Sequence, residues 1–190
     1  MFRNLAIRIS GGFLRGRRIA SPTSGQGIRP TTEKVKLAIF SVIGSEGVNG
    51  KKALDLFACS GALGLEAISR GAQSAHFVEK SGKNYRLIQE NINKLGIGNS
   101  CIVTHADCVK FVSKCEDTYG LVMLDPPFEI NYWEILMTNV GKEGFVAPSG
   151  IVIAEHKKGV VLEDRYGEIS RFNLKTYGDS QVSFYEVVGG

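Results

Sequence analysis

The sequence lacks several things that would have placed it quickly. Cys59, Cys101, Cys108 and Cys115 form no C-x-x-C pair, which argues against a zinc ribbon or a redox dithiol. No window reaches the length of a bilayer span, and arginines interrupt the apolar start "MFRNLAIRIS", so neither a membrane helix nor a secretory signal is expected. There is no internal repeat and no low-complexity tract. These absences lead us to expect a cytoplasmic protein with reduced thiols, no membrane association and no metal. With 190 residues, 43% of them hydrophobic, the chain can bury an ordinary core as one medium domain carrying a small appendage.

Acidic residues are scarce at the front. Residues 1–36 hold Arg3, Arg8, Arg15, Arg17, Arg18, Arg29, Lys34 and Lys36 against one acid, Glu33, while the rest of the chain is net negative. The overall charge of +4 therefore comes from the first fifth of the sequence. That is the footprint of a phosphate-binding arm on a nearly neutral body. Alternation in "LAIRIS", "GGFLRG" and "RRIAS" suggests a basic β-hairpin lying apart from the core. We divide the chain accordingly into an arm over 1–28 and a main domain over 29–190.

After a Ser/Gly/Pro-rich loop, Thr31 or Thr32 can cap a helix whose buried face carries Val35, Ala38, Ile39, Val42 and Ile43. Strand and helix then alternate. "KALDLFA", "SAHFVE", "CIVTH", "YGLVMLD" and "GIVIAEH" read as strands, separated by helical patterns ending at Gly71 and Gly96 among others. Two further strands, around "EISRFNLKTY" and "SQVSFYEVV", have no helix between them and suggest an edge hairpin. The pattern predicts an α/β fold with a mostly parallel sheet and helices on both faces.

In such sheets ligands bind beyond the carboxyl ends of the strands. The first strand runs into "ACSGALG", where small residues let backbone N–H groups and a helix N-terminus approach a ligand. Glu79 ends the second strand eighteen residues beyond Gly61, near the spacing of a ribose-binding acid. Asp107, just past the third strand, can accept from an adenine amino group or cap a helix. With Asp55 in the first strand, Glu79 and Asp107 make three acids at three successive strand ends and suggest a nucleoside site. "CSGALG" departs from the G-x-G-x-x-G turn of nicotinamide enzymes at its first position, Cys59, which weakens a dehydrogenase reading.

The fourth strand ends in Asp125, Pro126, Pro127 and Phe128. Proline stops the sheet, and Pro126 offers a carbonyl without an N–H. Beside an ionised Asp125 this makes a corner of acceptors able to hold both hydrogens of an exocyclic amine. The nitrogen lone pair is then freed to attack a sulfonium methyl, while Phe128 offers a stacking face for the base.

The stretches "RISGGFLRGRRI", "RPTTEKVKLAIFS", "LDLFACSGALGLEAISRGA", "FVEK", "LDPPF", "EH" and "YGDSQVSFYE" resemble the RsmD-like bacterial methyltransferases of guanine N2 in small-subunit (16S) ribosomal RNA, over about residues 7–187. The resemblance implies a class I, Rossmann-like fold of seven strands with an N-terminal hairpin extension. It also implies S-adenosylmethionine as donor and rRNA, in a partly assembled small subunit, as substrate. Carried over by position, Asp55, Gly61, Glu79 and Asp107 hold the cofactor, Asp125, Pro126 and Phe128 handle the target amine, and Arg15, Arg17, Arg18 and Arg29 meet RNA.

The family reads glycine where Cys59 stands. If that position needs φ > 0, a side chain is disfavoured there; alternatively Cys59 takes a β-region conformation with its thiol turned away. Competing readings are an amino methyltransferase on DNA adenine or protein glutamine, and a non-catalytic RNA-binding module whose pocket Cys59 has closed.

Overall fold

A computed structural model describes residues 6–22 and 33–188. The expected caps at Thr31 or Thr32, and Arg29, lie outside the described residues. The chain begins with a hairpin, β1 (Ala6–Arg8) and β2 (Arg18–Ala20), followed by α1 (Glu33–Ile43). The alternation then runs β3 (Lys52–Leu56), α2 (Ala62–Ser69), β4 (Ser74–Glu79), α3 (Gly82–Leu95), β5 (Cys101–His105), α4 (Cys108–Lys114), β6 (Tyr119–Leu124), α5 (Trp133–Val140) and β7 (Val146–Lys157). It closes with β8 (Arg165–Tyr166), β9 (Ile169–Tyr177) and β10 (Ser180–Val187).

The sheet order is β5-β4-β3-β6-β7-β10-β9-β8. Strands β3 to β7 are mutually parallel, and β10, β9 and β8 are antiparallel to their neighbours. Seven substantial strands match the expectation; the eighth is a two-residue edge. Strand order reverses between β3 and β6, which opens the crevice that this topology uses for ligands.

Apolar side chains on the two sheet faces form two cores. One gathers Phe77, Leu121, Met123, Ile153 and Phe184 with Ile39 and Phe40 of α1, Leu65 of α2 and Ile88 of α3. The other joins Leu54, Val78, Val122 and Tyr185 to Val112 of α4 and Leu136 and Met137 of α5. Each fully buried side chain of this size contributes about 1.5–3 kcal/mol. The helices stop where glycine supplies a left-handed residue, Gly96 after α3 (φ 73) and Gly71 just past α2 (φ 102).

One expectation is corrected. The hairpin is basic but does not lie apart from the core: Ile9, Leu14 and Ile19 are buried within it. Alternation placed the arginines outward, and the inward positions found an apolar partner. Polar bonds fix the docking. Asn91 of α3 accepts from Ala20 N–H at 2.8 Å and donates to Ala20 O at 3.0 Å, and Leu14 N–H donates to Ser69 Oγ at 2.9 Å. Glu66 of α2, fully buried, accepts from Ser10 N–H (2.9 Å), Ser10 Oγ (2.7 Å), Lys36 Nζ (2.8 Å) and Arg70 Nε (2.8 Å). One carboxylate thus joins hairpin, α1 and α2.

Candidate active site

The parallel registers carry the acids to one edge. Leu56 neighbours Val78 on one side and Leu124 on the other, and Leu124 neighbours Ala154. The next residues are Glu79 on β4, Asp125 just past β6, where its N–H still donates to Leu56 O at 3.5 Å, and Glu155 on β7, and the alternation carries them toward one sheet face. Asp55, one residue before Leu56, shares that face. These side chains line a cavity of about 880 Å³ together with Asp107, Pro126, Pro127, Phe128 and Tyr132. The size suits a small-molecule ligand.

The turn after β3 is held by its neighbours. Cys59 N–H donates to Glu79 Oε2 at 2.8 Å and Ser81 N–H to Glu79 Oε1 at 2.7 Å, so the carboxylate is oriented by two backbone groups. Gly64 N–H donates to Asp55 Oδ2 at 2.8 Å. A Cβ at Gly64 would collide with Phe77 and come within 3.1 Å of that oxygen, so glycine lets α2 sit close to the sheet. Gly61 (φ 78) precedes the first residue of α2 in a left-handed conformation.

Cys59 also has positive φ, 54°, which settles the alternatives in favour of the left-handed one. The strain of such a residue is about 1–2 kcal/mol. Cys59 lines a cavity that remains open beside it, so the pocket is not closed. Burial first, then the charges of Glu79, Asp125 and Asp55, push its thiol up to about 12, and it stays protonated and unreactive at neutral pH.

Asp55 is also displaced. Burial, which outweighs the Gly64 hydrogen bond and is reinforced by Glu79, pushes its carboxyl up to about 8. Asp107 caps α4, accepting from Val109 N–H (3.1 Å) and Lys110 N–H (3.3 Å) through Oδ1, and it also borders the cavity. Its Oδ2 pairs with Lys80 Nζ at 3.0 Å, and the Lys80 hydrogen bond holds the carboxyl below its usual range.

Sequence reasoning missed Glu155, Tyr132, Asn84, Tyr177 and Ser180, all of which line the cavity. Glu155 had a usable signal, an acid at the carboxyl end of a buried parallel strand. Arg15, Arg17 and Arg18 are exposed and lie away from the cavity, on the hairpin. The hairpin turn meets Ser69 at the far end of α2, about 12 Å along an eight-residue helix from the glycine turn. The hairpin's root reaches the cavity through Ile7.

Six acids line the cavity (Asp55, Glu79, Asp107, Asp125, Glu129 and Glu155) against Lys34 and Lys80. A dinucleotide pyrophosphate would be repelled there, whereas a sulfonium donor, which carries positive charge, fits. Strand order, crevice and acidic lining are those of the class I, Rossmann-like methyltransferase fold.

The family model described as "Conserved hypothetical protein 95" matches residues 7–186, and the chain belongs to that family. YlbH of Bacillus subtilis is 32% identical over 186 residues, covering 96% of this chain and 100% of that one. Ribosomal RNA small subunit methyltransferase D of Escherichia coli is 34% identical over 149 residues, 78% of this chain and 74% of its own. The structure of the Escherichia coli protein yhhF superposes with a TM-score of 0.83 at 28% identity, covering 97% of this chain and 99% of that one. The RsmD-like resemblance is borne out.

Proposed function

We propose that the chain methylates the exocyclic N2 amine of a guanine in small-subunit ribosomal RNA, within a partly assembled subunit in the cytoplasm. The observation that carries this is that Asp125 and Pro126 line the same acidic cavity as Glu79. The name of the Escherichia coli relative, a small-subunit rRNA methyltransferase, supports the substrate class.

Glu79, pinned by Cys59 and Ser81, presents acceptors to the ribose hydroxyls of the donor. Asp107 and Asn84 border the cavity beside it, and Asp55 lies at the glycine turn. When bound, S-adenosylmethionine supplies a methyl group activated by positive sulfur. Asp125 and the Pro126 carbonyl accept the two amine hydrogens of the guanine, which turns the nitrogen lone pair off the ring and toward that methyl. Asp125 then takes the proton the nitrogen sheds. Phe128, half-buried at the rim, holds the base flat. Arg15, Arg17 and Arg18 grip backbone phosphates, and Phe13, 69% exposed beside them, offers a face to an unpaired base.

The test is Asp125→Ala, assayed by tritiated methyl transfer to small-subunit particles from cells lacking the protein. We expect turnover to fall about 100-fold or more, with calorimetric affinity for S-adenosylmethionine changed only severalfold. Turnover equal to the parent enzyme removes Asp125 from the chemistry.

A further inference from the structure

Glu155 is absent from the roles above. It is 5% exposed and lines the cavity near the end of β7, one residue beyond the Leu124–Ala154 pair, as Asp125 is on the neighbouring chain segment. Adjacent strands lie about 4.8 Å apart, so two carboxylates occupy neighbouring positions above one cavity floor. One suffices for the amine. The second faces whatever adjoins that amine on the base.

On guanine, the neighbour of the N2 amine along the Watson–Crick edge is the ring N1–H, a donor. On adenine the corresponding ring nitrogen is an acceptor. An ionised carboxylate only accepts, so it completes a hydrogen bond with the first and is left opposed to a lone pair by the second. A buried acceptor without a donor is costly, and sites built this way discriminate strongly.

We infer that Glu155 is the specificity-determining residue of the base pocket, accepting the guanine N1–H while Asp125 and Pro126 hold N2. This rests on the guanine reading given above. It makes the pocket demand a base that donates at two adjacent positions, N1 and N2, rather than any base with an exocyclic amine.

The experiment uses the full chain and small-subunit particles reconstituted with rRNA bearing either guanine or 2-aminopurine at the methylated position. 2-Aminopurine keeps the amine at C2 but presents an acceptor at N1. For the parent enzyme, kcat/KM should favour guanine. For Glu155→Gln, whose amide can donate, we expect the guanine-to-2-aminopurine ratio to fall about tenfold or more, and 2-aminopurine fluorescence to report tighter binding of that RNA than by the parent. Glu155→Asp should keep the preference for guanine. S-adenosylmethionine affinity by calorimetry, expected to stay within about threefold, shows that the variants are folded and that Glu155 does not serve the donor. An unchanged ratio in Glu155→Gln, or loss of donor affinity, overturns the inference while leaving the guanine reading intact. A parent enzyme that fails to methylate the guanine-bearing particle sinks that reading itself, and this inference with it.

Discussion

Asp55 shows how a single side chain opposes the fold that holds it. Its carboxyl is raised from 3.8 to about 8, chiefly by burial, so the folded chain binds a proton that the unfolded chain has released across that interval. The Asp55 contribution to stability is therefore complete below the unfolded value and is lost as pH rises to about 8. Asp55→Asn, which keeps an acceptor for Gly64 N–H, should raise the urea midpoint of the free protein at pH 8. The gain should be on the order of a few kcal/mol and nearly vanish at pH 4. Equal midpoints at pH 8 refute it. Glu79 and Asp125 were legible in the sequence because each ends an apolar run abruptly. Glu155 obeys the same rule, yet "AEH" carries no proline or glycine to mark the strand's end, and the structure extends β7 past it to Lys157. The left-handed turn at Cys59 was legible only as a choice of two conformations, because a backbone angle at a non-glycine position depends on what holds it. Here that is the bond from its N–H to Glu79.

At the scale of elements, strand and helix positions followed the apolar periodicity closely: "SAHFVE" and "CIVTH" are β4 and β5 residue for residue. The hairpin was recognised, but its docking was not, because three apolar positions among arginines look like a solvated ribbon until α2 and α3 are placed beneath them. Glu66 is what secures it. Burial acts to raise its pKa, but hydrogen bonds from Lys36 and Ser10 prevail and the group sits below its usual value. Its stabilisation is thus present above the unfolded carboxyl range and is lost as pH falls through the lower folded value. Glu66→Ala leaves Lys36, 1% exposed, without its counter-ion, and should cost about 3–5 kcal/mol by urea unfolding at pH 7. Hydrogen exchange at Ser10 and Leu14 amides should accelerate in parallel. Retained protection at both amides refutes the role given to Glu66.

The whole molecule separates its charges, with exposed arginines on the hairpin and carboxylates in the crevice. Under the proposed function, backbone phosphates are drawn to one region and repelled from the other, so a base enters the cavity while its strand stays outside. Replacing Arg15, Arg17 and Arg18 together by alanine should reduce the slope of log affinity for RNA against log salt by about 2. Methylation should be lost at moderate salt, with donor binding untouched. An unchanged slope places the phosphate contacts elsewhere. The charge asymmetry was fully visible in the sequence, since it needs only residue counts. The distance between the two regions was not, because it depends on which end of α2 receives the hairpin turn.

That helix gives the molecule a ruler. One end carries the glycine turn and the other is bolted to the arginine-bearing loop through Ser69, with Glu66 bracing the span between. For the proposed RNA substrate, the stretch anchored on the hairpin and the nucleotide turned inward would then be a set few residues apart along the RNA's path. A strand bent to the wrong curvature would be caught at the anchor and still fail to deliver its base, so under that proposal the shape of the RNA is measured before its chemistry.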